Sequence, residues 1–166
     1  MTFLLNRPRL SFAALALVCA SFIGYALYLQ HVEYQDPCPL CLVQRGFYII
    51  LLFAGAAAAL HGKHFHRYGW TAAVAALGGG GVAARQVWLQ HLPKDQVPAC
   101  GPDLYYMIDN FPLAKMFGLL FQGSGQCAEV GWRFLGLSIA EWSLAWFALI
   151  LAAALVFALR GRSAAP

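Results

Sequence analysis

The chain has 166 residues, of which 61% are hydrophobic and only 11% charged, and its formal net charge is +4. That balance excludes an ordinary soluble globular domain and puts the chain in the membrane class. The positive excess is explained below by the flanks of apolar segments, so it does not call for a nucleic-acid partner.

The first apolar stretch, residues 10–29, carries no charge and follows Arg7 and Arg9. A helix needs about 20 predominantly apolar residues to cross a bilayer, so this one is long enough. It is longer than the h-region of a secretory signal peptide, about 7–15 residues, and no small-x-small cleavage pattern follows. It is therefore expected to be retained. Residues 42–60 carry only Arg45, near the start, and residues 70–89 only Arg85, near the end. Residues 142–159 carry no charge. Backbone groups in lipid must be satisfied within their own segment, so all four stretches are predicted to be helices. The expected fold is an all-α membrane protein, a single domain over residues 1–166 built as a four-transmembrane-helix bundle.

Charge sets the expected orientation. Arg7 and Arg9 precede the first span, Lys63 and Arg67 lie in the short connection 61–69, and Arg160 and Arg162 follow the last span. All seven acidic residues lie in the other two connections: Glu33, Asp36, Asp95, Asp103, Asp109, Glu129 and Glu141. By the positive-inside rule both termini and the middle connection are cytoplasmic. Loops 30–41 and 90–141 then face outward, into the periplasm of a bacterium, and the protein is a multi-pass protein of the inner membrane. Tyr25, Tyr28, Trp70, Trp88 and Trp142 fall near predicted span ends, where amphipathic rings prefer the interface.

The first outer loop ends in Cys38-Pro39-Leu40-Cys41. A C-x-x-C spacing suits a redox dithiol, and it also suits half of a zinc site. With Cys100 and Cys127 in the second loop, all four thiols are expected on the oxidising side, which favours redox chemistry. As a staple the first pair would close a very small loop and remove little unfolded-state entropy. Pro37 and Pro39 flank Cys38, so the second helix is predicted to start there, with its unpaired N–H groups favouring a thiolate. Arg45 lies four residues after Cys41, on the same helix face, where its charge would favour a Cys41 thiolate. Its bland alternative is a side chain snorkelling at a span end.

The second outer loop is roughly fifty residues long, which is unusual without a function. Pro93, Pro98, Pro102, Pro112, Gly123 and Gly125 predict turns around Cys100 and Cys127. The apolar run 113–121, with Lys115 alone charged, is expected to lie in the membrane surface. Cys19, inside the first span, reads as a packing residue. His61, His64 and His66 read as solvated loop residues across the membrane from the thiols, and no metal site is expected. The four glycines at 78–81 are expected to allow close helix packing. Arg85 and His91 read first as interface residues.

Taken together, Gln30-His31-Val32, Pro37-Cys38-Pro39-Leu40-Cys41, Arg45, Cys100, Gly125-Gln126-Cys127-Ala128-Glu129 and Trp132-Arg133-Phe134-Leu135-Gly136-Leu137 resemble the bacterial disulfide bond formation protein B (DsbB) family over almost the whole chain. The resemblance implies an oxidoreductase in periplasmic protein folding. It would reoxidise a DsbA-type thiol oxidase and pass the electrons to a membrane quinone, ubiquinone or menaquinone. It further implies roles for the residues. Cys100 would form the mixed disulfide with the partner, and Cys127 would attack Cys38. Cys41 would be the thiolate facing the quinone, with Arg45 and His91 as quinone-binding residues. Two rivals stand beside it: a conduit carrying reducing equivalents across the membrane, and an outer metal-binding or structural protein using the four cysteines as ligands. The conduit would need thiols reachable from the cytoplasm, and only Cys19 lies inside a span, unpaired.

The segregation of acidic residues yields a direct test of orientation. After reduction of intact spheroplasts, an impermeant thiol reagent is expected to label Cys38, Cys41, Cys100 and Cys127. Labelling of any of them only after lysis would reverse the topology.

Overall fold

The computed structural model describes residues 7–35, 37–93, 95–97, 112, 125–130 and 133–160. Helix α1 spans Pro8–His31, α2 Pro39–His61 and α3 Phe65–Gln90. A one-turn helix α4, Gly125–Ala128, precedes strands β1, Arg133–Phe134, and β2, Leu137–Ser138, and α5 covers Ile139–Arg160. The expected apolar run 113–121 and Cys100 lie outside the described residues.

Local chemistry explains the boundaries. Proline opens both α1 and α2 within the first turn, where a missing N–H costs nothing. α2 ends at Gly62, whose left-handed backbone (φ 63°) lets its N–H reach the Ala58 carbonyl. The strands pair antiparallel, Arg133 with Ser138 and Phe134 with Leu137. Between them Leu135 and Gly136 both have positive φ, as a two-residue hairpin turn requires. Trp142 Nε1 donates to the Phe134 carbonyl at 3.0 Å and holds this hairpin against the start of α5. α5 itself begins with a reciprocal cap. The Ser138 N–H donates to Glu141 Oε2 at 2.6 Å, and the Glu141 N–H donates to Ser138 Oγ at 3.3 Å.

α3 is central: it packs against both α2 and α5, while α1 packs on α2. Small residues make this possible. The Phe147 ring of α5 lies against Gly79, and the Phe47 ring of α2 against Gly78. The expectation for the 78–81 glycines holds at those two positions. Gly69 faces the backbone of Ala154 and Ala158, and Gly55 the backbone of Phe12 and Ala16. Around these approaches lies a core of Leu51, Ala72, Ala76, Ala83, Phe147 and Cys19. Cys19 is fully buried, as expected of a packing residue.

Among the described residues, three helices are long and apolar enough to cross a membrane: Pro8–His31, Pro39–His61 and Ile139–Leu159. Their outer faces carry bare apolar side chains, among them Leu17 (70% exposed), Phe53 and Leu149. α3, which contains the fourth expected span, is the longest of the helices at 26 residues, or about 39 Å at 1.5 Å per residue. Its glycines and its polar outer end make it less apolar than the others, yet it too exposes Val74 and Leu77.

A Cβ at Gly55 or Gly69 would stand 2.8 Å from main-chain atoms of the next helix, which cannot rotate away. Gly55→Val and Gly69→Val are each expected to cost about 1–3 kcal/mol by overpacking. A Cβ at Gly24 meets nothing within 4 Å, so Gly24→Ala is expected to be neutral or to stabilise by up to about 1 kcal/mol through helix propensity. Thermal unfolding in detergent orders the three variants. Equal midpoints would remove close packing as the reason for these glycines.

Candidate functional site

The site assembles where α2 begins. Cys38 is the N-cap of α2, and its sulfur accepts the Cys41 N–H at 3.4 Å. Cys41 lies in the first turn, so the predicted coincidence of helix start and C-x-x-C is observed. The Cys38 thiol donates to Cys41 Sγ at 2.9 Å. Cys127, on α4, is fully buried and packs in one cluster with Cys38, Leu40, Val82 and Leu89. Cys38 and Cys127 are hydrogen-bonded to each other, and that bond, then the one to Cys41, then burial, push the Cys38 thiol well above its ordinary value. In the hydrogen bond between the pair, Cys38 is the donor and Cys41 Sγ the acceptor. Two segments 86 residues apart in sequence bring three sulfurs together.

Two buried glutamines complete the surroundings, and neither was singled out in the sequence. Gln86 of α3 donates from Nε2 to Cys41 Sγ at 3.2 Å and to Cys38 Sγ at 3.4 Å. Gln44 Nε2 donates to Gln86 Oε1 at 2.6 Å. A glutamine inside an apolar span is a polar group that lipid would not tolerate unpartnered, and that was the available signal.

Arg45 makes its hydrogen bonds to α1. Its Nη1 donates to Gln30 Oε1 at 2.6 Å and its Nη2 to the Ala26 carbonyl at 3.1 Å. It therefore ties α2 to α1 and makes no hydrogen bond to a sulfur. Arginine carries five N–H donors, so these two bonds do not exhaust it. Arg45 and Cys41 line the same cavity, of about 640 Å³, together with Gln44, Tyr48, Phe22 and Trp146. The walls are mainly apolar and aromatic, and Gln86, Gln90 and Ser143 are among the polar residues that also line it.

His91 is not among the residues lining that cavity. Its Nδ1 lies 2.8 Å from the Val87 carbonyl and its Nε2 lies 3.9 Å from Glu141, on the exposed outer end of α3. The Arg85 guanidinium sits 4.2 Å from the centre of the Trp88 ring, as suits an interface residue. His61 bonds Tyr68 at the far end of the bundle.

Comparison with known proteins agrees with this constellation. The family model described as "Disulfide bond formation protein DsbB" matches residues 8–157. A disulfide bond formation protein B of Aromatoleum aromaticum is 42% identical over 157 residues, covering 93% of this chain and 94% of the relative. One from Acinetobacter baumannii is 48% identical over 143 residues, covering 81% and 82%. A third, disulfide bond formation protein B 1 of Pseudomonas aeruginosa, is 43% identical over 159 residues, covering 94% and 98%. The chain belongs to the DsbB family, and membership implies a disulfide oxidoreductase.

The contact between Cys38 and Cys127 predicts a trappable bond. With Cys41→Ser and Cys100→Ser combined, Cys38, Cys127 and the buried Cys19 are the thiols that remain. A Cys38–Cys127 disulfide is then expected as the dominant oxidised species, mapped by peptide mass. If both thiols instead remain open to alkylation under mild oxidation, the two sulfurs do not meet in solution.

Proposed function

We propose that the protein is a membrane thiol oxidase that makes disulfides anew, reoxidising a DsbA-type periplasmic dithiol oxidase and delivering the electrons to a membrane quinone. The observation that carries this reading is the meeting of Cys38, Cys41 and Cys127 at the wall of an apolar cavity inside the helix bundle. Exchange between thiols and disulfides conserves the number of disulfides, so a new one requires an outside two-electron acceptor. When bound, a quinone supplies that acceptance, taking up two electrons and two protons. The cavity suits such a group. Its walls are mainly apolar and aromatic, and Arg45 and Gln44 line it with side chains that carry the N–H donors carbonyl oxygens would need.

The chain's own residues would act in sequence. A partner thiolate attacks Cys100 of a Cys100–Cys127 disulfide, forming a mixed disulfide and releasing Cys127. Cys127 attacks Cys38 of the Cys38–Cys41 disulfide, and Cys41 departs as the thiolate with its electron pair. The Cys38–Cys127 hydrogen bond supports the second step. The helix N-terminus and the Gln86 amide favour the thiolate left on Cys41.

The reading includes four spans, with α3 as the fourth, both termini in the cytoplasm and residence in a bacterial inner membrane. The apolar outer face of α3 and the charge segregation support it.

Anaerobic mixing of the purified protein with a reduced DsbA-type partner and ubiquinone or menaquinone tests the reading. Quinone is expected to be reduced one for one with partner disulfide formed. Arg45→Lys is expected to keep partial turnover. Arg45→Gln is expected to lose about 10–100-fold, the worth of one charged hydrogen bond of about 1.5–3 kcal/mol. Thiol exchange between the cysteine pairs should survive both changes. Unchanged turnover in Arg45→Gln would leave this residue only its tie to Gln30, and no quinone reduction by the wild type would end the proposal.

A further inference from the structure

We infer that Gln86 is a positioning residue that sets the redox balance of the Cys38–Cys41 pair, with Gln44 locking its amide in the orientation that does so. The inference deepens the proposed function and rests on that pair being the redox dithiol.

Gln86 stands on α3, 45 positions from Cys41, and is 4% exposed. Nε2 donates to Cys41 Sγ at 3.2 Å and to Cys38 Sγ at 3.4 Å, while Oε1 accepts the longer bond from the Cys41 thiol, at 3.7 Å. A primary amide can turn over, offering oxygen in place of nitrogen. Here the 2.6 Å bond from Gln44 Nε2 requires an acceptor at the Gln86 atom it meets, which fixes the oxygen there and the NH₂ group toward the sulfurs. Gln44 is itself buried on α2, one turn from Leu40 and Cys41, so the lock is built into the helix that carries the dithiol.

The consequence follows from what the sulfurs can accept. A thiolate is a strong acceptor of an N–H bond, and a disulfide sulfur is a weak one. A fixed donor at this place therefore stabilises the reduced pair more than the oxidised pair. It raises the tendency of the Cys38–Cys41 disulfide to take electrons from an incoming thiol. Gln86 is thus the group on α3 that reports the redox state of α2.

The test uses the full-length protein in detergent without added quinone, with Cys100→Ser and Cys127→Ser so that only the first pair is followed. The pair is equilibrated anaerobically with glutathione redox buffers and its state is read by the mass of alkylated protein. Gln86→Met keeps the volume and removes the donor. It is expected to shift the equilibrium about tenfold toward the disulfide, a potential about 30 mV lower for a two-electron couple. The pH midpoint of Cys41 alkylation should rise in the same variant. Gln86→Glu puts an acceptor-only carboxylate beside the sulfur and should shift both readouts further in the same direction. Gln44→Met should shift them less, and not at all on top of Gln86→Met. A purely structural role would move unfolding temperature and leave the equilibrium and the alkylation midpoint in place. Equilibria within twofold of the parent in either Gln86 variant that folds would overturn the inference. If the parent pair itself fails to cycle as a two-electron couple, the proposed function falls, and this inference with it.

Discussion

Close approach of helix backbones is the constraint on which the other features depend. The Gln86 amide reaches sulfurs on the neighbouring helix only because α2 and α3 lie near each other. They do so where Phe47 packs flat over Gly78. On the opposite side of α3, Gly79 admits the Phe147 ring, and Gly69 admits the backbone of α5. Lipid offers no hydrophobic drive for one helix to join another, so the energy of association must come from van der Waals contact and hydrogen bonds. Small residues supply the first and, at the cysteine end, glutamines supply the second.

That division of labour explains how the bundle can carry polar groups inside. Gln44, Gln86, Ser138 and Ser143 are buried. Among the described residues no buried side-chain nitrogen or oxygen lacks a partner. Tyr48 shows the pattern: its ring stacks on Phe147 at 4.4 Å, and its hydroxyl lies 3.0 Å from Ser143 Oγ. Ser138 gives its hydroxyl hydrogen to Gln90 Oε1 at 2.7 Å while capping α5, so the hairpin end of the last span is fastened to the outer end of α3. Arg45 joins the same scheme by tying α2 to α1 through Gln30. The α1–α2 pair, the α2–α3 pair and the junction of α3 with β2 are thus each pinned by a polar contact beside the cavity.

How much of this was legible depends on whether the signal is local. The C-x-x-C at the start of α2 is local, because proline and cysteine at a helix N-terminus state their own geometry, and the helix does start there, with Cys38 as its N-cap. So is the burial of Cys19 and the packing use of the glycines. The start of α5 came three residues earlier than the apolar run suggested, because Ser138 and Glu141 form a capping box that hydropathy does not register. Gln86 was passed over for a different reason. Its partner Gln44 is 42 positions away, and only the packing of two helices makes them a pair. Arg45 was read along its own helix toward Cys41, whereas its hydrogen-bonding partners stand on α1. A long side chain with several donors is decided by its neighbours across the interface, which a single sequence does not order.

The position of the dithiol at the N-cap follows from the two demands the proposed chemistry makes on it. One sulfur must meet a thiol arriving on a water-exposed loop, and the other must stand at an apolar wall. In a span interior both sulfurs would face lipid or packed helix. In a loop neither would be held. At the first turn the chain changes from extended to helical, so Cys38 and Cys41 leave the backbone in different directions while their sulfurs stay 2.9 Å apart. Both sulfurs line the cavity, and both pack with Cys127. The unpaired N–H groups of the same turn favour negative charge on sulfur, and they do so without placing a cation in the bilayer. A helix terminus at the membrane surface therefore meets the geometric demand and the electrostatic one with the same few residues. That is the physical reason for a C-x-x-C to stand at the mouth of a span.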